Sequence, residues 1–458
     1  MKYEMKSRAF MFMLVVIASL SFSSCDGGST GGSTPPPSNA NEWTWMNGAN
    51  VANQPGTYGT LGTADSSNIP AARGQSVSWI DASGNFWLFS GDGTGGFLND
   101  LWKYSAGEWT WMGGSNVPNQ PWTSGTLGTP ASGNVPGARY AAVGWTDTSG
   151  NFWLFAGTGF DSTGTGGILN DLWKYNAGQW TWMGGSNKAG QSGTYGTQGT
   201  AASSNIPGAR VSAVTWTDAS GNLWLFGGGG LDSTEAGGLL NDLWKYNASA
   251  GQWTWMCGSN VVNHQGIYGT QGTASPSNVP GAREQAVGWT DASGNFWLFG
   301  GIGFDSAGNN DFLNDLWKYN AGQWMWMGGS NMGGQSGTYG TRGRAASANV
   351  PGARVNAVSS IDASGNFWLF GGVGTGGALN DLWKYSAGEW TWVSGANMVD
   401  RPGTYGTQGT AASGNVPGAR QMPVNWTDAS GNFWLFGGNG FDSAGTQGYL
   451  NDLWKYEP

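Results

Sequence analysis

Six arginines are the residues most open to a chemical reading. Arg73, Arg139, Arg210, Arg283, Arg354 and Arg420 each follow Pro-Gly-Ala, or a close variant, at the same place in a repeated unit. Gathered on an axis, they would grip an anion. Held inside their own units, they would bind local carbonyls, or the Asp of a recurring Asn-Asp-Leu-Trp sequence, through charge-assisted hydrogen bonds. A device copied into every unit more naturally serves the unit, so the structural role is expected. The two residues after each arginine do the opposite and share no chemistry: Gly74-Gln75, Tyr140-Ala141, Val211-Ser212, Glu284-Gln285, Val355-Asn356 and Gln421-Met422. Positions free to vary inside a constant frame are where an asymmetric ligand is read. Gln75, Tyr140, Ser212, Glu284, Gln285, Asn356 and Gln421 are therefore candidate ligand contacts.

Two further groups belong to loops. Gly-Phe-Asp-Ser or Gly-Leu-Asp-Ser recurs around Asp161, Asp232, Asp305 and Asp442, and a Gly-Thr-Tyr-Gly-like sequence recurs around Tyr58, Tyr195, Tyr268, Tyr339 and Tyr405. The second unit departs from the latter, with Trp122 in place of a Gly and Ser124 in place of the Tyr. Exposed aromatics beside amides and carboxylates suit the apolar faces and hydroxyls of sugars, and Trp122 joins the candidate contacts. One carboxylate per loop falls well short of the oxygen shell calcium requires, so no metal or other cofactor is expected. His264 is the only histidine, and Cys257, placed where sister units have Gly or Ser, is the only cysteine beyond Cys25. Both read as ordinary packed or surface residues, and no Ser–His–Asp arrangement stands out.

The elements that position these residues follow from the repeat. Asn-Asp-Leu-Trp-Lys-Tyr occurs six times, starting at Asn99, Asn170, Asn241, Asn314, Asn380 and Asn451. Each unit holds four short runs rich in aromatic and β-branched residues, in the third unit 211–216, 223–226, 243–246 and 253–256, bounded by turn formers. Runs such as Phe86-Trp87-Leu88-Phe89 are apolar on both sides, as strands are when sheets pack face to face around an axis. Six units of four antiparallel strands predict a six-bladed all-β propeller, with the variable pairs at the entry of each unit's first strand. The last unit stops at Pro458 without a fourth strand, and Glu42-Trp43-Thr44-Trp45-Met46 matches the missing one. Residues 42–46 should close the ring by completing the last blade, since an open ring would leave strand edges unpaired.

Composition agrees: 83 Gly, 30 Trp and only 10% charged residues describe a turn-rich, aromatic-packed chain. The formal charge of −9 becomes about −11 once Lys2, Lys6, Arg8 and Glu4 (net +2) are set aside, which disfavours nucleic acid and anionic membrane surfaces. Those basic residues precede an apolar run, 9–20, too short to span a bilayer, and 1–24 reads as a signal peptide. Ser23-Ser24-Cys25 resembles the lipobox of bacterial lipoproteins, which implies lipidation of Cys25, a flexible tether over 25–41 and a propeller over 42–458. The expected location is the bacterial cell envelope, with membrane contact only through the lipid.

Each unit also resembles a kelch repeat. An Arg precedes the first strand, and the second ends in a glycine doublet: Phe226-Gly227-Gly228, Phe299-Gly300-Gly301, Phe370-Gly371-Gly372 and Phe436-Gly437-Gly438, with Phe89-Ser90-Gly91 and Phe155-Ala156-Gly157 departing by one small residue. The units exceed the kelch length of roughly 50 residues, and the excess lies in the connections. The resemblance implies the galactose oxidase/kelch-like superfamily, whose form would make each unit's first strand the innermost and put the variable pairs at the mouth of the central channel. The copper site of such an oxidase needs two histidines, and this chain has one. Six-bladed kelch proteins also include sugar mutarotases acting on sialic acid through Arg, Glu and other polar groups near the axis, roles for which the resemblance would offer Glu284 and the ring of arginines. The expectation is a non-catalytic envelope protein that binds a glycan or partner protein at the loop face and channel mouth. A carbohydrate-active enzyme or an envelope scaffold is the alternative.

Overall fold

The computed structural model describes residues 40–458 apart from Ser124. The signal peptide, Cys25 and all but the last two residues of the tether lie outside the described residues. Every named element is a strand. In the third blade the innermost strand is split into Arg210–Val211 and Val214–Thr217, followed outward by Leu223–Leu231, Gly237–Asn247 and Gln252–Cys257. All pair antiparallel, with Trp216 opposite Trp224, Leu225 opposite Trp244, and Trp244 opposite Trp255. The single strand expected over 211–216 is thus interrupted, because Ser212 sits at φ 52°. The second strand bulges between Phe226 and Gly228, where Gly227 takes φ 65° and a Cβ would lie 2.8 Å from the Arg283 carbonyl of the next blade.

The repeated hexapeptide is explained residue by residue. Asn241 donates to the Pro280 carbonyl at 3.3 Å and accepts from the Ser259 N–H at 3.0 Å, fixing the loop that leads to the next blade. Leu243, Trp244 and Tyr246 are core, and Lys245 lies 5.7 Å from the centroid of the Trp224 ring. Burying each such large apolar side chain contributes roughly 2–3 kcal/mol. Blades join through their innermost strands, whose tryptophans stack on the next blade: Trp216 on Phe296 at 3.7 Å, Trp289 on Phe367 at 3.4 Å and Trp426 on Phe86 at 3.7 Å.

Glu42–Asn47 is the outermost strand of the sixth blade, with Trp43 opposite Tyr456 and Trp45 opposite Trp454. The long connections account for the excess length of the units. Each folds into a narrow antiparallel excursion, such as that joining Thr404 and Val416, whose far end rests on the exposed edge of the outermost strand. In the sixth blade Gly409 N–H donates to the Trp45 carbonyl at 2.8 Å, and Asn415 Nδ2 to the Trp43 carbonyl at 3.1 Å. Sheet edges that would recruit other chains are thereby covered.

Candidate functional site

The arginines answer the first question. Arg210 Nη1 and Nη2 donate to the two oxygens of Asp242, each at 2.8 Å, while its other donors reach the carbonyls of Gly208 and Gly227. The same bidentate pair joins Arg73–Asp100, Arg139–Asp171, Arg283–Asp315, Arg354–Asp381 and Arg420–Asp452, all inside their blades. Tyr195 Oη and Trp244 Nε1 also donate to Asp242, at 2.6 and 2.7 Å. Burial, reinforced by the Asp242 charge, pushes the Tyr195 phenol well above its usual range. The arginines are structural and form no axial cationic ring.

This hub corrects the reading of the loop aromatics. Tyr195, Tyr268 and Tyr405 are 4–5% exposed, so they offer no sugar platform. Tyr58 and Tyr339 are half-buried, in the two blades whose second-to-third-strand loops are short. Trp122 is also buried, at 4% exposure, and is withdrawn as a ligand contact. Its ring lies 4.9 Å from Trp173 and 5.2 Å from Trp182, matching Tyr195 at 4.8 Å from Trp244 and 5.3 Å from Trp255. The reason is geometric: a Cβ on Gly193, the counterpart of Trp122, would stand 2.7 Å from the Tyr195 ring. A side chain at that glycine therefore enters the tyrosine's space, and the two exchanges in the second unit compensate each other. The loop aspartates are likewise occupied: Asp161 accepts from the N–H groups of Thr163, Thr165 and Ala189.

The variable pairs do converge. The second member of each, Gln75, Ala141, Ser212, Gln285, Asn356 or Met422, has φ between 52° and 59°. Their backbones form one closed circle. Gln75 N–H donates to Met422 C=O at 3.0 Å, Ala141 to Gln75 at 3.1 Å, Ser212 to Ala141 at 2.9 Å, Gln285 to Ser212 at 3.0 Å, Asn356 to Gln285 at 3.1 Å and Met422 to Asn356 at 3.0 Å. Their side chains line an axial cavity of about 220 Å3. Within it Asn356 Nδ2 donates to Gln285 Oε1 and Gln421 Oε1, both at 3.1 Å.

The first members lie one step outward, paired with second strands: Gly74 opposite Asp92, Tyr140 opposite Thr158, Glu284 opposite Ile302 and Gln421 opposite Asn439. Tyr449 of the sixth blade donates its hydroxyl to Asp92 of the first, and the Phe97 ring lies 4.7 Å from Tyr140. Glu284 rests its carboxylate against Gly229 of the preceding blade. Burial raises its pKa, and the Gly229 N–H only partly offsets this. Asp92, Phe97 and Tyr449 were missed in the sequence, although they too vary between units at fixed places. At the other end of the channel a cavity of about 430 Å3 is lined by Ser78, Thr146, Ser359, Ser360, Asn425 and Thr427, among others. Ser360 stands where the other five blades carry the stacking tryptophan.

Cys257 and His264 line a rim groove of about 330 Å3 between the third and fourth blades. Burial pushes the Cys257 thiol up to about 11, which makes it a poor nucleophile at neutral pH.

No protein-family model and no curated protein matches this chain. Among solved structures it is similar to that of YjhT, with 15% identity, a TM-score of 0.50, and coverage of 84% of this chain and 95% of that one. The likeness is one of fold, and with the blade count and closure described above it places the chain among six-bladed, kelch-like β-propellers.

Proposed function

We propose that this protein is an exported, non-catalytic saccharide-binding module of the bacterial cell envelope, taking its ligand at the channel mouth beside Tyr140, Glu284 and Gln421. One observation carries the reading. The residues repeated in every blade are consumed by blade structure, while six side chains of five different kinds are presented to an axial cavity from a backbone circle fixed by its own hydrogen bonds. A site held rigid before binding loses little ordering entropy when the ligand arrives. The aromatic rings of Tyr140, Phe97 and Tyr449 offer stacking faces, and Gln75, Ser212, Gln285 and Asn356 offer hydroxyl-pairing groups.

The described chain enters beside the C-terminus, where Asn41 N–H donates to the Glu457 carbonyl at 2.6 Å, at the end of the blades opposite the arginines. Glycan screening of the protein and of the Ala141→Gln/Ser212→Met variant tests the site. Both substitutions place in the circle a residue that a sister blade already carries there, so they narrow the cavity with the fold kept. Loss of binding with an unchanged melting temperature is expected, and unaltered binding would move the site elsewhere.

A second reading, a sugar-converting enzyme using Glu284, is favoured by the placement of that carboxyl at the mouth against Gly229, where burial raises its pKa above the ordinary glutamate value. Turnover of any bound sugar that disappears in Glu284→Gln while binding persists would select it over the binding module.

A further inference from the structure

The charged groups of the propeller can be followed one by one, and their placement bears on which saccharide fits. Of the 19 lysines and arginines, 16 fall within residues 40–458, the other three being Lys2, Lys6 and Arg8. Six are the arginines neutralised inside the blades by bidentate aspartates. Six are lysines laid over the second-strand tryptophans, near the loops at the far face: Lys103, Lys174, Lys245, Lys318, Lys384 and Lys455. The remaining four, Lys188, Arg342, Arg344 and Arg401, belong to connections between blades. Neither axial cavity has a cationic side chain in its lining.

Carboxylates are placed differently. Asp92, held by the Tyr449 hydroxyl, and Glu284, seated on Gly229, both stand at the mouth, on the first and fourth blades. The other hydrogen-bonding side chains there are uncharged, among them the amides Gln75, Gln285, Asn356 and Gln421 and the Ser212 hydroxyl, with Gln421 already engaged with Asn356. An acidic sugar entering here would bring a third negative charge into a half-buried setting with no cation to meet it, which is repulsive and poorly screened. Hydroxyls and ammonium groups meet acceptors instead.

We infer that the channel mouth takes saccharides without acidic groups, neutral or amine-bearing, and rejects uronic and sialylated ones. This rests on the saccharide-binding reading above and narrows it. It also separates this mouth from any site built to hold a sugar carboxylate with arginine, since all six arginines at the strand entries are occupied.

The test is an array carrying neutral, amine-bearing, uronic and sialylated glycans, probed with the intact protein at low and at physiological salt. Retention of neutral or amine-bearing glycans is expected, with at least a tenfold preference over acidic analogues of equal length, and the preference should shrink as salt rises. In Asp92→Asn/Glu284→Gln the discrimination against acidic glycans should fall at least fivefold, whatever happens to overall affinity. Preferential retention of uronic or sialylated glycans would overturn the inference and leave the binding module standing. Retention of no glycan, or binding of a peptide at this mouth instead, would overturn both.

Discussion

The N–H of Gln75 donates to the carbonyl of Met422 at 3.0 Å, and this bond joins the first blade to the sixth at the axis. The ring is therefore closed twice. At its outer edge Trp43 pairs with Tyr456, and at its inner edge the circle of six amides returns to its start. The inner closure has a functional consequence. Because backbone groups hold the circle together, its side chains are free to be Gln, Ala, Ser, Asn or Met without loss of the fold.

That freedom has a limit. All six residues occupy the left-handed region, which β-branched side chains enter only with strain. Ala141→Val should cost about 1–3 kcal/mol in urea unfolding. Ala141→Gln should be close to neutral, since Gln75 and Gln285 already adopt the same backbone. Equal costs for the two would mean that the circle does not impose this conformation.

The outer closure predicts a larger effect. Trp43 is 1% exposed, with its ring 5.4 Å from Phe370 and 5.8 Å from Phe433. Trp43→Ala should lose about 3–5 kcal/mol through the cavity it leaves, and removal of 42–47 should cost more, since it also strips the edge of Gln447–Glu457. A melting curve unchanged by that removal would refute the closure.

Repetition made much of this legible. Blade number, strand order, the closing strand and the internal role of the arginines follow from comparing one unit with the next. What escaped depends on contacts distant in sequence. A tyrosine in a glycine-rich loop reads as exposed until its hydroxyl is seen on an aspartate 47 residues away, as for Tyr195 and Asp242. The alternation over 211–216 gives no sign that Ser212 must turn to bond with Ala141 of another blade. Glu284 and Tyr140 were visible as variable positions. Asp92 and Tyr449 obey the same rule on second and third strands, but what joins them is a hydrogen bond between the first and sixth blades, at opposite ends of the sequence.

The exchange in the second unit can be reversed. Trp122→Gly alone should cost about 3–5 kcal/mol, as expected for emptying a packed aromatic slot. Trp122→Gly/Ser124→Tyr restores the sister arrangement and should recover that loss. It should add about 1 kcal/mol if the new phenol reaches Asp171 as Tyr195 reaches Asp242. Chemical denaturation of the two variants decides this. Failure of the double variant to recover would show that Trp122 does not stand in for the tyrosine.

Acid should destabilise the protein through the far-face loops. Burial alone would raise the Asp218 carboxyl, but hydrogen bonds from Trp224, Asn222 and two backbone N–H groups outweigh it and hold the pKa below the usual carboxylate range. The same balance applies at Asp81, Asp147, Asp291, Asp362 and Asp428. A depressed native pKa gives stability that is complete above the unfolded value and lost as pH falls through the folded one. Melting temperatures should drop steeply below about pH 4, and Asp218→Asn should lose part of its neutral-pH stability while showing a shallower acid limb. An acid limb identical to the parent's would remove these loops as its source.

Glu284 carries the opposite sign. Its native pKa is raised, so ionising it burdens the folded state. The burden is absent below the unfolded pKa, grows as pH rises through the interval, and is complete above the folded pKa. Glu284→Gln should therefore compare more favourably with the parent protein at pH 7 than at pH 4. Gly229 offers an independent control, because a Cβ there would stand 2.4 Å from Glu284 Oε2, the free end of a flexible side chain. Gly229→Ala should push the carboxylate toward water, bring its titration back toward the ordinary glutamate value and reduce the affinity for amine-bearing glycans, with little change in fold stability. Carboxyl titration by NMR, followed alongside binding, reads both effects. A titration that stays raised in Gly229→Ala would show that contact with Gly229 does not set the environment of Glu284.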